Sequence, residues 1–188
     1  MVTRRGEDPR PLPSETSLRV IMRGLREIMS DDGSGQAKLD KIVRQIAGVM
    51  VAEVCSIYLK RQDGSLELFA TEGLNPSAVH STRLKRGEGL AGRCAELGVT
   101  VNEPEASSHP AFSYRPETGE EVYHSLLAVP IERSGQILGV LVIQNKTQRE
   151  YSDEDVEVLH ATAMVIAENR ISGAVAGIYA HDTESTTE

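Results

Sequence analysis

The sequence predicts an α+β fold, in which an antiparallel sheet carries helices from both ends of the chain on one face. Two observations support this class. Apolar residues recur at helical spacing near both ends of the chain, whereas two pairs of apolar runs, each joined by turn residues, lie in the interior. Paired runs of this kind are typical of β-hairpins, and hairpins imply antiparallel strands.

Three main helices are predicted from the apolar spacing and the capping residues. The first begins near Leu18 and ends before the acidic, glycine-containing segment 31–35, and the second places its apolar residues on one face over 39–50. Ser152 is expected to cap the third helix, whose first turn holds three acidic residues that the helix dipole favours. Its apolar spacing continues to about Tyr179, so this helix is predicted to be long.

Four strands form the two predicted hairpins. Residues 54–59 and 66–70 flank an Asp-Gly turn, and residues 126–131 and 137–143 flank a Ser-Gly turn. Between the hairpins lies a long polar stretch over 103–123, and a loop of this length in a compact domain is usually functional or mobile. Shorter elements are expected before it: a strand near 81–84, a helix over 93–97 and a strand over 99–102.

The charge and the apolar content exclude several classes of function. The formal net charge is −8, whereas a nucleic-acid-binding domain needs a basic face. No apolar run approaches the roughly 20 residues of a membrane-spanning helix, and no apolar stretch follows the first arginines as in a secretory signal. We therefore expect a cytoplasmic protein without nucleic-acid or membrane partners. One domain is predicted over residues 17–179, with a disordered leader over 1–16 and a disordered tail over 180–188.

Motifs for catalysis or metal binding are weak in this chain. Segment 87–92 fits a G-x-G-x-x-G string, but it does not open a strand–helix–strand unit, so it is a poor indicator of a dinucleotide site. Cys55 lies in the middle of a predicted strand, where a buried apolar role is the simplest. Cys94, His109 and His124 have neither metal-ligand spacing nor an oxyanion motif, so pocket lining or surface exposure is favoured over zinc binding or nucleophilic catalysis. No metal and no cofactor is predicted.

The irregular middle of the chain instead has the composition of a small-molecule site. Aromatic side chains are rare in this sequence, yet several cluster between residues 112 and 123, together with histidines and arginines. An arginine holds a carboxylate or phosphate with two hydrogen bonds, and small-molecule pockets combine apolar walls with a few polar groups. The alternative is a solvated loop that merely covers the sheet. The predicted ligand-binding residues are Arg93, Asn102, His109, Phe112, Tyr114, Arg115, Tyr123, His124 and Ser125.

Three segments together resemble a GAF domain, and the resemblance covers nearly all of residues 18–178. The segments are VCSIYLKRQDGSLELFATEGL, RGEGLAGRCAELGVTVNEPEASSHPAF and SLLAVPIERSGQILGVLVIQNKTQREYSDEDVEVL. Within the family, the chain is similar to the N-terminal regulatory GAF domain of the nitrogen-related phosphotransferase system Enzyme I, a phosphoenolpyruvate-protein phosphotransferase. The resemblance implies about six antiparallel strands, with the terminal helices packed on one face of the sheet and a ligand pocket on the other.

The same resemblance implies a regulatory role. Such domains precede a phosphotransferase body, and several respond to glutamine as a signal of nitrogen sufficiency by reducing autophosphorylation of the attached enzyme. The G-G-x-x-S-H type of motif that carries the phosphorylated histidine does not occur in this sequence, so we expect a regulatory domain and not an enzyme, with downstream phosphotransferase domains as its partner. The residue types suit a bound amino acid: Arg93 or Arg115 for its carboxylate, Glu103, Glu105 or a backbone carbonyl for its ammonium group, and Asn102, Ser125 and Tyr114 for its side chain.

Two other functions stay open on the sequence. Surplus apolar positions on the first and last helices favour a homodimer, and the chain would then be a dimerisation or protein-interaction module without a ligand. Asn145 and Lys146, followed by Tyr151 and the acidic start of the last helix, partly match the pattern of cyclic-nucleotide-binding GAF domains. We favour a simpler interpretation, in which Asn145 and Lys146 end a strand and Ser152 caps a helix.

Overall fold

The computed structural model describes residues 15–168, and residues 1–14 and 169–188 lie outside the described part. The predicted tail and the predicted end of the last helix therefore fall outside it, as does most of the predicted leader. The first helix begins at Glu15, so the last two residues of that leader are helical.

The described part contains four α-helices and six strands, in the order that the apolar spacing predicts. The helices are α1 (Glu15–Ser30), α2 (Gly35–Val49), α3 (Gly89–Leu97) and α4 (Asp153–Glu168). The strands are β1 (Val54–Lys60), β2 (Leu66–Glu72), β3 (Arg83–Leu84), β4 (Val101–Glu103), β5 (Ser125–Arg133) and β6 (Gln136–Asn145). Single 3₁₀ turns cover Pro76–Ala78, Ala106–Ser108 and Glu120–Val122.

All six strands join one antiparallel sheet in the order β3-β2-β1-β6-β5-β4. The two predicted hairpins, β1–β2 and β5–β6, are confirmed, and they meet at the centre of the sheet where β1 pairs with β6. In this pairing Ser56 lies opposite Val142 and Tyr58 lies opposite Val140. The α+β class is therefore confirmed, and the central pairing brings residues from distant parts of the sequence together.

The helices α1, α2 and α4 pack on one face of the sheet. Side chains alternate between the two faces along a strand, so Cys55, Ile57 and Leu59 of β1 point toward these helices. Ile42 of α2 and Leu159 of α4 are fully buried against this face. The main core therefore lies between the sheet and the helices.

The opposite face of the sheet carries a smaller apolar cluster under α3 and the segment 103–125. Tyr58, Leu126 and Val142 come from three neighbouring strands, and Leu90 of α3 packs in the same cluster. Because this face is covered by one short helix and irregular chain instead of a continuous layer, it is where a ligand pocket can form.

Candidate ligand pocket

A pocket lies on this second face, between the central strands, the start of α3 and the segment 112–120. The cavity volume is about 420 Å³ when the part open to solvent is counted, and the centre of a water molecule fits in about 30 Å³ of it. One water needs roughly 10–15 Å³ on that measure, so the closed part holds water but not a larger molecule. The lining residues are Tyr58, Leu84, Gly89, Leu90, Ala91, Phe112, Ser113, Glu120, Leu126, Val142 and Gln144.

The floor of the pocket contains polar side chains that have few partners. Tyr58 is 5% exposed and Gln144 is 3% exposed. Within the described residues, the Tyr58 hydroxyl has no hydrogen-bond partner, and the side-chain amide of Gln144 has a single contact, from its Nε2 to Glu120 Oε2 at 3.5 Å. That distance is long for a hydrogen bond. The floor therefore offers hydrogen-bonding groups to a molecule that enters the pocket.

Burial, together with the charges around the floor, keeps the Tyr58 phenol neutral. Burial raises the pKa of Tyr58, the negative charges of Glu120 and Glu117 raise it further, and the positive charge of Arg115 opposes them. A neutral phenol both donates and accepts a hydrogen bond. Tyr58 can therefore serve either a carbonyl oxygen or an N–H group of a ligand.

An ion pair between Glu88 and Arg115 lies beside the lining residues Gly89 and Ser113, at what we call the rim of the pocket. Arg115 Nη2 donates to Glu88 Oε1, which also accepts a hydrogen bond from Ser113 Oγ at 3.2 Å. The other carboxylate oxygen accepts from the backbone N–H of Lys85 at 2.8 Å. The hydrogen bond from Lys85 and the charge of Arg115 hold the pKa of Glu88 below its usual value. Glu88 therefore fastens the segment after Phe112 to the start of α3.

The first turn of α3 faces the same pocket. Gly89, Leu90 and Ala91 line it, and Glu88 at the N-cap position makes no capping bond from its side chain. The first N–H groups of a helix have no partner within the helix, and the positive end of the helix dipole favours an anionic group. An anion in the pocket would meet these N–H groups beside the Arg115 guanidinium.

The residues predicted from the sequence to bind a ligand divide into separate places. Phe112 lines the pocket and Arg115 stands at its rim, where the guanidinium Nε is buried and has no partner among the described residues. Tyr114, from the same segment, is 54% exposed. Arg93 lies exposed on α3 and does not line the pocket.

Three other predicted residues lie where β4, β5 and the chain before α4 meet. The side-chain amide of Asn102 donates to the backbone carbonyl of Tyr151 at 2.8 Å and accepts from its N–H at 3.1 Å. Ser125 is fully buried, 3.4 Å from the Tyr151 hydroxyl, and the hydroxyl of Tyr123 donates to the carbonyl of Gly73 at 3.0 Å. These side chains join segments of the protein and do not line the pocket.

The two predicted histidines contact carboxylates outside the pocket. His109 Nδ1 accepts a hydrogen bond from the N–H of Ala111 at 3.0 Å, and its Nε2 lies 3.6 Å from Glu103 Oε1. His124 Nδ1 lies 2.9 Å from Glu105 Oε2. Glu103 and Glu105, the acidic residues considered for a ligand ammonium group, are thus engaged with these histidines.

The segment that partly matches the cyclic-nucleotide pattern acts as a structural brace. Asn145 is 1% exposed; its Oδ1 accepts from the Tyr151 hydroxyl at 2.8 Å, and its Nδ2 donates to Val51 O and to Glu53 Oε2, both at 3.1 Å. The N–H of Lys146 donates to the same Glu53 oxygen at 2.7 Å. Asn145 is also the last residue of β6, as the simpler interpretation of this segment predicts.

The predicted cap of α4 is also present. Ser152 Oγ accepts from the N–H of Asp155 at 3.2 Å, and the Asp155 carboxylate accepts from the N–H of Ser152 at 2.9 Å. These reciprocal bonds satisfy two N–H groups at the start of the helix.

The sequence reasoning missed three polar residues that line the pocket, Tyr58, Glu120 and Gln144, and also Glu88 beside it, although a signal for two of them exists. Tyr58 and Gln144 lie in strands that are otherwise apolar, at positions that alternate with the helix-facing residues. A polar group at such a position points to the face that the helices leave open. Glu88 and Glu120 lie in loops without periodicity, and their approach to the pocket depends on the tertiary structure.

Neither cysteine is suited to chemistry in the pocket. Both are fully buried, and burial raises the pKa of the Cys94 thiol to about 12 and also raises that of Cys55. Over residues 15–168, no group of three potential metal ligands comes together. In the same range, each helix is too short or too polar to cross a membrane.

Comparison with known proteins assigns the family. The sequence matches the family model of the GAF domain over residues 34–169, well over half of the chain. This chain belongs to the GAF domain family. Its fold is similar to that of the GAF domain from an Acinetobacter phosphoenolpyruvate-protein phosphotransferase, with a TM-score of 0.74 and 32% sequence identity; the match covers 90% of this chain and 99% of that chain. The family and the subgroup predicted from the sequence are therefore confirmed.

The curated relatives of this GAF domain are longer proteins. It is 35% identical over 150 residues to the phosphoenolpyruvate-dependent phosphotransferase system protein of Escherichia coli, a match that covers 77% of this chain and 20% of that protein. It is 29% identical over 139 residues to a Nif-specific regulatory protein of Azospirillum lipoferum, covering 71% of this chain and 22% of that protein. The chain thus spans about a fifth of the length of these relatives. As a GAF domain similar to those of phosphoenolpyruvate-protein phosphotransferases, this chain is a regulatory sensor domain.

Proposed function

We propose that this GAF domain senses a free amino acid, glutamine, and that the ligand binds in the pocket under α3. The observation that carries the proposal is the combination of groups in that pocket. A charged pair at the rim suits the two charges of an amino acid, and buried polar groups with few partners on the floor suit a polar side chain.

The rim suits the zwitterionic end of the ligand. An amino acid carries its carboxylate and its ammonium group on one carbon, and Arg115 and Glu88 place a cation and an anion side by side. The carboxylate would bind Arg115 and the first N–H groups of α3, and the ammonium group would bind Glu88. The charged end would then replace contacts that Arg115 and Glu88 make with each other.

The floor suits the side chain of the ligand. Phe112 and Leu126 provide apolar contact for its methylene groups, and Tyr58 and Gln144 lie deeper, where they can bind the amide. In this assignment, two residues predicted from the sequence, Phe112 and Arg115, contact the ligand. Two residues that the sequence reasoning missed, Tyr58 and Gln144, bind its amide.

Binding of an amino acid requires the pocket to open. The closed part has room only for water, so the segment 112–120 has to move away from α3, which breaks the contacts of Glu88 with Ser113 and Arg115. A ligand shifts such an equilibrium only by its difference in affinity for the two states. The pocket thus links ligand binding to the position of the segment that leads into β5.

We also propose that the bound ligand controls an attached phosphoenolpyruvate-dependent phosphotransferase in nitrogen signalling. The relatives whose names state phosphotransferase and Nif-specific regulation support this proposal, and both are several times longer than this chain. The attached phosphotransferase domains are the proposed partner, and autophosphorylation is the activity that glutamine would reduce.

Thermal unfolding of the 188-residue chain with a panel of amino acids and nucleotides tests the proposal. A ligand at about 100 times its Kd stabilises the folded state by roughly 2.7 kcal/mol, and a protein of this size gains roughly 2–4 °C in Tm per kcal/mol. Glutamine is expected to raise Tm by about 5–11 °C. No shift at millimolar glutamine would contradict the proposal.

A matched pair of arginine variants locates the ligand. Arg115→Ala is expected to weaken glutamine binding at least tenfold, since a charged hydrogen bond contributes about 1.5–3 kcal/mol. Arg93→Ala is expected to bind as the unmodified chain does, because Arg93 is exposed and lies outside the pocket. Isothermal titration gives both affinities. The reverse result would place the ligand elsewhere.

A second function, dimerisation, is favoured by a groove between α1 and α4. Met22, Leu25 and Met29 of α1 and Val165 of α4 line it, and the two methionines and Val165 are only partly buried. We propose that this groove contributes to a homodimer, consistent with the surplus apolar residues on these helices. Sedimentation equilibrium of the chain and of Met22→Glu tests it. A monomer at every concentration would exclude this role.

A further inference from the structure

We propose that an open groove beside α4 binds a segment of a partner protein in which an apolar side chain lies next to lysine or arginine residues. The groove, which we call the hairpin groove, lies between α4, the turn of the β5–β6 hairpin and the turn after α3. Its lining residues are Gly98, Pro130, Glu132, Ser134, His160 and Met164. The inference does not rest on the pocket under α3, because none of these residues lines that pocket.

The hairpin groove has room for a side chain of a partner. Its volume is about 660 Å³ when the part open to solvent is counted, and the centre of a water molecule fits in about 300 Å³ of it. The corresponding space in the pocket under α3 is about 30 Å³. The hairpin groove can therefore accept a bulky side chain as it stands, whereas the pocket under α3 has to open first.

Apolar side chains are exposed at this groove. Six large apolar side chains are exposed among the described residues, and three of them lie at the groove or next to it. Met164 lines the groove and is 62% exposed, the largest fraction of the six. Leu97 and Val99 flank the lining residue Gly98. Exposed apolar side chains gathered at one place are typical of protein-interaction sites, and the flexible methionine side chain adapts to a partner.

The charges at the groove favour a basic partner. Glu132 lines the groove, and Glu157 lies on the exposed side of α4, about two turns before Met164. Within residues 15–168, neither carboxylate forms an ion pair. The lining contains neither lysine nor arginine, and Arg133, the residue after Glu132, places its Nε 3.7 Å from Glu168 Oε2. Lysine or arginine residues of a bound segment would therefore meet negative charge that this part of the chain leaves uncompensated.

His160 offers a hydrogen-bonding group to the backbone of a bound segment. Its Nε2 lies 2.6 Å from Thr100 Oγ1, whereas its Nδ1 has no hydrogen-bond partner in the described part of the chain. Burial lowers the pKa of His160, so the ring is neutral near pH 7 and adds no positive charge that would oppose a basic segment. The groove thus combines apolar contact, a hydrogen-bonding group and negative charge.

The hairpin groove is separate from the groove between α1 and α4. Val165 lines that groove and Met164 lines this one, and consecutive residues of a helix point about 100° apart. A homodimer through α1 and α4 would therefore use a different side of α4. The two surfaces can be tested independently.

Nuclear magnetic resonance titration of the ¹⁵N-labelled 188-residue chain with the peptide acetyl-KKLFKK-amide tests the proposal. The peptide is expected to shift the backbone amide signals of Gly98, Ser134 and Met164 with a Kd below about 1 mM. Two control peptides separate the contributions: KKAAKK keeps the charge without large apolar side chains, and EELFEE keeps the apolar side chains with the opposite charge. Each is expected to bind at least about fivefold more weakly. Equal binding of either control, shifts confined to residues away from the groove, or no shift at about 5 mM peptide would overturn the proposal.

Two variants assign the binding to the groove. Met164→Ala is expected to weaken the KKLFKK peptide about fivefold, whereas Val122→Ala, which shortens an exposed apolar side chain outside the groove, should change its Kd less than about twofold. Glu132→Gln is expected to weaken the peptide about threefold at about 0.1 M salt. Glu117→Gln makes the same charge change at an exposed residue outside the lining and should have less than about a twofold effect. Equal effects of a variant and its control would contradict the assignment.

A second copy of this chain is the competing occupant of the groove. If Met164→Ala sediments as a smaller species than the unmodified chain, the groove is an interface between two copies and the proposal is overturned. Met22→Glu, the variant directed at the groove between α1 and α4, should bind the peptide as the unmodified chain does, and loss of binding would contradict the separation of the two surfaces. Circular dichroism confirms that each variant is folded. If Met164→Ala does not fold, the three peptides decide on the unmodified chain.

Discussion

Replacing Asn145 with alanine should destabilise the whole domain, because this buried side chain joins three segments at the end of β6. Its amide contacts the Tyr151 hydroxyl at 2.8 Å, the carbonyl of Val51 at 3.1 Å and the carboxylate of Glu53 at 3.1 Å. Asn145→Ala removes all three contacts. The interpretation of this segment as a brace predicts a loss of stability that does not depend on any ligand.

The size of the loss follows from the burial of each partner. Tyr151 is 3% exposed, and without Asn145 its hydroxyl keeps the contact with Ser125 at 3.4 Å and the interaction with Arg149. Loss of the short hydrogen bond to Asn145 should cost about 1–2 kcal/mol. Val51 is 44% exposed and Glu53 is also exposed, so water can replace these bonds at a cost of about 0.5–1 kcal/mol each. The sum is about 2–4 kcal/mol.

Urea unfolding followed by circular dichroism measures this loss, and Tm should fall by on the order of 10 °C. Gln148→Ala is the matched control in the same loop, because Gln148 is exposed and its side chain hydrogen-bonds only Glu105 within residues 15–168. This substitution should cost less than about 1 kcal/mol. A double-mutant cycle with Tyr151→Phe should give a coupling energy of about 0.5 kcal/mol or more. Equal free energies of unfolding for Asn145→Ala and Gln148→Ala would refute the interpretation that Asn145 braces the domain.

Two further predictions concern packing and pH. A Cβ atom at Gly139 would lie 2.1 Å from the carbonyl oxygen of Tyr58, so Gly139→Ala should lower the free energy of unfolding by about 1–3 kcal/mol. Gly48 in α2 has open space around it, so Gly48→Ala should leave the free energy of unfolding equal or higher. Comparable losses for the two variants in urea unfolding would contradict this reasoning. Hydrogen bonds from Ser107, Gln148 and His124 lower the pKa of Glu105 to about 2, so its contribution to stability is complete above the unfolded pKa of about 4.3 and is lost as the pH falls toward 2. Glu105→Gln should therefore lose stability less steeply than the unmodified chain over that range, and parallel urea-unfolding profiles would show that these bonds do not stabilise the fold.

The regular elements could be predicted because their signals are local. The spacing of apolar residues in α1 and α2, the turn residues of the two hairpins and the serine before α4 each act over a few residues. The GAF family could be identified for the same reason, since its motifs are short local segments that occur here in the order typical of the family. These features depend on which residues lie next to each other in the chain, so one sequence was enough to predict them.

The division of the polar segment into pocket and brace could not be predicted in this way. Four residues were equally suited to a ligand by their chemistry: Phe112, Arg115, Asn102 and Ser125. Of these, only Phe112 lines the pocket and only Arg115 lies beside it, whereas Asn102 and Ser125 contact Tyr151. Irregular chain has no periodicity from which the direction of a side chain follows. Its direction is decided by contacts with distant segments, such as those of Asn102 with Tyr151.

The sequence by itself therefore determined the fold class, the family and the presence of a polar segment suited to binding. The tertiary structure alone decided which groups meet in the pocket. Tyr58 and Gln144 lie on the same face of the sheet because β1 pairs with β6, with Tyr58 opposite Val140 and Gln144 opposite Val54, and Glu88 meets Arg115 because the segment after Phe112 folds back on α3. Hydrogen-bond and charge complementarity act over a few ångströms in space, and only the folded chain sets those distances.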